Sequence, residues 1–250
     1  MTTTARDRLI VALDVATADE ARALVDSLSG AVGMFKVGSR LFTAAGPQLV
    51  REIVGRGEKV FLDLKYHDIP NTVAEAVAQA SLLGVSLMTI HALGGKAMME
   101  AAVGALPAMG SRVLAVTVLT SHDEHSLGEV GLGAHPLSES VRRLARLARE
   151  ARADGVVASP LEAELVRSAC GPDFLIVTPG IRPAGARADD QARAATPAAA
   201  IKAGRPTWWS AGPSRRRPIR WRPPPPSSAR WSRRSSRCPS STLTGRAARC

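Results

Sequence analysis

The sequence predicts an α/β protein whose parallel sheet closes into a (β/α)8 TIM-type barrel. Three observations lead there. Short apolar runs rich in β-branched residues alternate with helical stretches over residues 1–203, and parallel neighbours require such crossover helices. Polar residues recur at the strand ends: Asp14, Lys36, Asp63 with Lys65, His91, Thr117 with Thr120, Ser159 and Thr178. In a barrel those ends converge on one mouth. The competing open, doubly wound sheet usually carries G-x-G-x-x-G after its first strand, whereas Asp14-Val-Ala-Thr17 stands here.

Taken in order, the first strand is expected over residues 8–13 and its helix over 17–28. Thr17 and Glu20 have the spacing of a capping box. A strand at 34–37 leads to a helix at 40–54, one at 59–64 to a helix at 71–83, and Leu87–His91 to a helix at 95–105. The strand at 112–119 is followed by a Gly-, Ser- and Asp-rich stretch, 120–136, which reads as a lid, and then by a helix at 137–152. A strand at 155–158 precedes a helix at 161–168, and the seventh strand is expected at 174–178. A last helical piece, 196–203, begins with Thr-Pro, a suitable cap and first turn. The barrel needs an eighth strand near residue 205, and none is visible in the sequence.

Composition divides the chain. The 250 residues carry a net charge of +11, and 45% are hydrophobic, so a disordered chain is excluded. No run approaches the ~18 apolar residues of a membrane span, and no apolar segment precedes the first strand, which predicts a cytoplasmic protein. Cys170, Cys238 and Cys250 are too irregularly spaced for a disulfide framework or a metal site. Residues 1–203 hold 21 Lys+Arg against 22 Asp+Glu, whereas residues 204–250 hold 12 Arg, no Lys and no acidic residue. The predicted organisation is a barrel domain at 1–203 and an Arg/Pro/Ser-rich tail at 204–250.

The most informative block runs from Phe61 to Thr72, F-L-D-L-K-Y-H-D-I-P-N-T. Asp63 and Lys65 are two apart, so on a strand they project from the same side, while Leu62 and Leu64 face the helices. Charge buried in a barrel is costly unless paired, so a carboxylate beside an ammonium is expected. Such a pair could simply close a barrel layer. Lys36 ending the preceding strand and Asp68 following this one bring alternating charges to one mouth, which favours catalysis.

That block resembles the orotidine 5′-monophosphate decarboxylase family. So do Leu13-Asp14, Phe35-Lys36-Val37-Gly38, Val116-Thr-Val-Leu-Thr-Ser121, Val177-Thr-Pro-Gly-Ile-Arg182 and Asp189-Asp-Gln191, in matching order and spacing over residues 6–203. The resemblance implies decarboxylation of orotidine 5′-monophosphate to uridine 5′-monophosphate in pyrimidine synthesis, by a homodimer using no metal or other cofactor. Lys65 would donate a proton to carbon six of the pyrimidine, Asp63 would sit beside the substrate carboxylate, and Lys36 and Asp68 would complete the charge network. Asp14 and Lys36 would hold ribose hydroxyls, and Thr120 and Ser121 would open the loop over the base. Arg182 and Gln191 would meet the phosphate end, while Asp68 and Thr72 would reach into the partner subunit's site. The sugar-phosphate decarboxylase branch of the superfamily shares D-x-K-x-x-D, but the His67-Asp-Ile-Pro-Asn-Thr72 continuation argues against it. His67 and His91 read either as site contacts or as hydrogen-bonded structural residues. His122, His125 and His135 match no metal-ligand spacing.

The tail reads as out of frame. Family members carry an eighth strand leading into a phosphate-binding Gly-Arg-Pro, and Gly204-Arg205-Pro206 comes too early and follows no strand. Trp has a single codon, so a one-base offset across Thr207–Ser214 forces two consecutive Val residues and permits L-V-V-G-R-P-I, the missing motif. A one-base frameshift near Gly204 is therefore expected, leaving a gap between strands one and seven and poor turnover. The competing readings are a genuine disordered tail and an RNA-binding arm, for which Arg residues interspersed with Trp supply charge and stacking.

Overall fold

The computed structural model describes residues 6–107, 110–179 and 208–211. The chain divides into two units, 1–214 and 215–250. The second unit lies outside the described residues, as does the helix expected at 196–203.

Eight parallel strands close into a barrel in chain order. They are β1 (Leu9–Ala12), β2 (Met34–Gly38), β3 (Val60–Tyr66), β4 (Leu87–His91), β5 (Arg112–Val116), β6 (Gly155–Val157), β7 (Leu175–Thr178) and β8 (Trp208–Ala211). The described helices are α1 (Ala18–Leu28), α2 (Ser39–Gly55), α3 (Pro70–Ser81), α4 (Gly95–Gly104), α5 (Glu124–Glu129), α6 (Leu137–Glu150) and α7 (Ala163–Cys170). Thr17 caps α1 as its spacing predicts: its hydroxyl accepts from the Glu20 N–H, and the Glu20 carboxylate accepts from the Thr17 N–H. Helix α2 is kinked where Gly46 takes φ 67 ahead of Pro47, which has no N–H to donate.

One expectation gains detail and another needs correction. The stretch 120–136 contains a helix, α5, because Asp123 and Ser126 form a capping box that turns a Gly- and Ser-rich sequence into a helix start. The eighth position, expected to be empty, is occupied. Strand β8 pairs with β7 through Val177↔Trp208 and Thr178↔Trp209, and with β1 through Leu9↔Trp209, Ile10↔Ser210 and Val11↔Ala211. The expected gap between strands one and seven is thus closed. A ladder joins backbone groups, which any residue except proline supplies, and Trp-Trp-Ser-Ala is a proline-free run with two strand-favouring aromatics. The correction concerns the strand alone, since the residues that would carry a following helix lie outside the description.

The barrel separates two apolar layers. Ile10, Met34, Phe61, Leu87, Leu114 and Val177 fill its interior. Their strand neighbours Val11, Phe35, Leu62, Met88, Ala115 and Ile176 face outward, into the layer shared with the helices. Strict alternation produces this sorting, and it sends every second residue near the strand exits toward the mouth. The β6–β7 contact leaves no room for a side chain at Gly155. A Cβ on Gly155 would lie 2.2 Å from the Leu175 carbonyl oxygen, and backbone cannot yield as a side chain can. Gly155→Ala is expected to cost about 2–3 kcal/mol, measured as a lower thermal midpoint than that of the parent.

Candidate active site

The mouth is organised by an irregularity at the exit of β3. Strand β3 pairs with β4 at Leu62↔Met88 and next at Tyr66↔Ile90, so Asp63, Leu64 and Lys65 together oppose the single residue Thr89. Lys65 has φ 53, a left-handed conformation that costs roughly 1–2 kcal/mol in a residue with a side chain. Asp63 and Lys65 do meet as predicted, yet the route differs. Regular pleating was expected to align them, whereas a bulge re-aims Lys65.

From Asp14 to Lys65 the charges alternate across three strand ends. Lys36 Nζ lies 3.5 Å from Asp14 Oδ1 and 3.6 Å from Asp63 Oδ2, and Lys65 Nζ donates to Asp63 Oδ1 at 2.9 Å. The side chains of Asp63 and Lys36 are only 13% and 15% exposed, against 36% for Lys65. Lys65 is therefore the cation most open to a bound molecule. Burial pushes the Asp63 carboxyl up, but the Lys36 and Lys65 charges and hydrogen bonds from Lys65 and Thr89 outweigh it and hold the group below the ordinary carboxylate range. Asp63 is thus a fixed anion between two cations.

The other predicted residues are placed unevenly. Asp68 is exposed, and its carboxylate accepts from the Ile69 N–H at 2.6 Å. No ion pair joins it to Lys36 or Lys65 among the described residues, so this chain gathers three of the four charges expected in one network. Thr72 is exposed near the start of α3, Thr120 half-buried and Ser121 exposed in the turn after β5. Arg182 and Gln191 lie outside the described residues.

His91 is buried at the end of β4, and its Nδ1 accepts from the Leu93 N–H at 3.3 Å. Its ring stacks on that of His67, with centroids 5.3 Å apart. Burial, reinforced by His67, Lys65 and His122, pushes its pKa down to about 4 from 6.5. The fold therefore favours neutral His91, whose contribution to stability is whole above pH 6.5 and lost as the pH falls toward 4. Unfolding free energies from urea titrations of the parent should fall across that window by on the order of 2 kcal/mol more than those of His91→Gln. Parallel curves for the two proteins would contradict the assignment.

His122 meets Ser126, His125 pairs with Glu129 and His135 contacts Arg143, so these rings are dispersed. Among the described residues no three His, Cys, Asp or Glu side chains converge as a metal site. One site residue was not singled out from sequence: Thr89, fully buried, accepts from the Lys65 backbone N–H at 2.9 Å and donates to Asp63 Oδ1 at 3.0 Å. The available signal was its inward position on β4, two residues from both Leu87 and His91.

A family model described as orotidine 5′-phosphate decarboxylase / HUMPS family matches residues 7–207. A Trichlorobacter lovleyi protein named orotidine 5′-phosphate decarboxylase is 55% identical over 205 residues, which are 80% of this chain and 85% of that protein. One of the same name from Moorella thermoacetica is 52% identical over 208 residues, 80% of this chain and 82% of the relative. The crystal structure of orotidine 5′-phosphate decarboxylase from Lactobacillus acidophilus superposes with a TM-score of 0.72 at 37% identity, covering 82% of this chain and 89% of that one.

Proposed function

The chain belongs to the orotidine 5′-phosphate decarboxylase / HUMPS family, and from that premise we propose how its mouth performs the decarboxylation of orotidine 5′-monophosphate to uridine 5′-monophosphate. The observation that carries the proposal is the Lys65 ammonium, held 2.9 Å from Asp63 and more exposed than Lys36. The bond between carbon six and the carboxylate breaks, carbon dioxide leaves, and the electron pair stays on a ring carbon with no adjacent carbonyl to absorb it. A preorganised ammonium stabilises that charge as it develops, then transfers its proton to carbon six, and solvent reprotonates the amine. No cofactor takes part. Asp63, kept ionised by its two lysines, holds Lys65 in place and stands beside the departing carboxylate.

Asp14 and Lys36, 3.5 Å apart at the mouth, are assigned to the ribose hydroxyls. Thr120 and Ser121 open the segment that closes over the base, and Arg182 and Gln191 take the phosphate. Binding energy from that distant group offsets the cost of confining the reacting centre. Asp68 and Thr72, exposed on this chain beside the apolar, 67% exposed Ile69, are assigned to the site of a second copy in a cytoplasmic homodimer. The frame is taken to shift near residue 204, inside the barrel unit, so that β8 and the tail after it are both out of frame. Support for the shift comes from the family match, which stops at residue 207, just before β8, and no described helix is long and apolar enough to cross a membrane.

The deciding experiment follows the absorbance of orotidine 5′-monophosphate with the purified chain, with and without a chelator. Chelator-insensitive conversion to uridine 5′-monophosphate supports the proposal. Conversion of sugar phosphates alone, or a metal requirement, would overturn it.

A further inference from the structure

We propose that Thr89 is a positioning residue that grips Lys65 at both ends. The inference rests on the role given to Lys65 above. At the bulge, three residues of β3 face one residue of β4, so the regular ladder cannot supply a partner for each backbone group. The Thr89 hydroxyl takes over. It accepts the Lys65 backbone N–H at 2.9 Å, which anchors the left-handed residue at φ 53. Its own proton goes to Asp63 Oδ1 at 3.0 Å, the same oxygen that accepts from Lys65 Nζ at 2.9 Å. The four groups form a closed ring from the Lys65 main chain through Thr89 and Asp63 to the Lys65 ammonium.

A side chain with several rotatable bonds is thereby fixed at its root and at its tip. Thr89 is fully buried, so no water competes for its hydroxyl. The donor–acceptor requirement is also selective. Serine can satisfy both bonds, while valine keeps the shape and loses them. Thr89 is closed to solvent, and it acts through Asp63 and Lys65.

The test compares Thr89→Val and Thr89→Ser with the parent. The valine variant is expected to lose about 10–100-fold in kcat with KM changed less than about threefold, because a misplaced proton donor slows chemistry more than binding. Its Lys65 backbone amide should exchange at least about tenfold faster with solvent deuterium, having lost its acceptor. The serine variant should recover most of both. An unchanged kcat in Thr89→Val overturns the proposal, and so does a Thr89→Ser variant as slow as valine. Should the parent itself not decarboxylate the nucleotide, the functional reading fails, while amide exchange in the three proteins still decides whether the hydroxyl holds Lys65.

Discussion

Lys65→Ala is expected to lower kcat by about 10⁴-fold or more while uridine 5′-monophosphate still binds within a few-fold of the parent. On the proposed mechanism two roles are lost together, the cation facing developing negative charge and the proton that quenches it. The fold should survive, because Asp63 keeps Lys36 at 3.6 Å and Thr89 at 3.0 Å as partners. Arginine should not rescue, since a planar guanidinium is larger and does not give up a proton near neutral pH. Single-turnover rates together with calorimetric nucleotide affinity check the split. Turnover by the alanine variant within about tenfold of the parent would remove Lys65 from the chemistry, as that loss is below what a proton donor contributes.

Replacing residues 204–250 with the sequence of the one-base-shifted frame is expected to raise kcat/KM on the order of 10²-fold, chiefly through KM. The restored segment would supply an arginine able to make charge-assisted, often bidentate bonds to the nucleotide phosphate. Because β8 already closes the barrel in the chain as written, the gain should appear as phosphate recognition and only weakly as thermal stability. Resequencing codons 203–208 tests the premise directly. Equal kcat/KM values for the two chains would show that the tail costs nothing, and salt-dependent RNA binding lost with the tail would favour the nucleic-acid reading instead.

Much of this architecture is legible from residue order because two periodicities suffice for it. Strand β4 lies at Leu87–His91 as expected, and α1 begins after Thr17 because its cap is a local, side-chain-to-backbone device. Asp63 and Lys65 could be paired on charge economics alone. What could not be read depends on contacts between distant segments. The bulge exists only in the register between β3 and β4, so neither the left-handed Lys65 nor the buried Thr89 beneath it shows in either strand by itself. Strand β8 was missed for a related reason: composition marked its surroundings as foreign to the fold, while pairing depends on main-chain groups that composition does not report.

The way β8 is recruited has a consequence for engineering. A stave gripped on both flanks by amides and carbonyls is in effect a docking groove for a short extended peptide of permissive identity. Such a barrel suits splitting at its last segment, with closure supplied in trans and enzymatic output serving as the reporter of complementation.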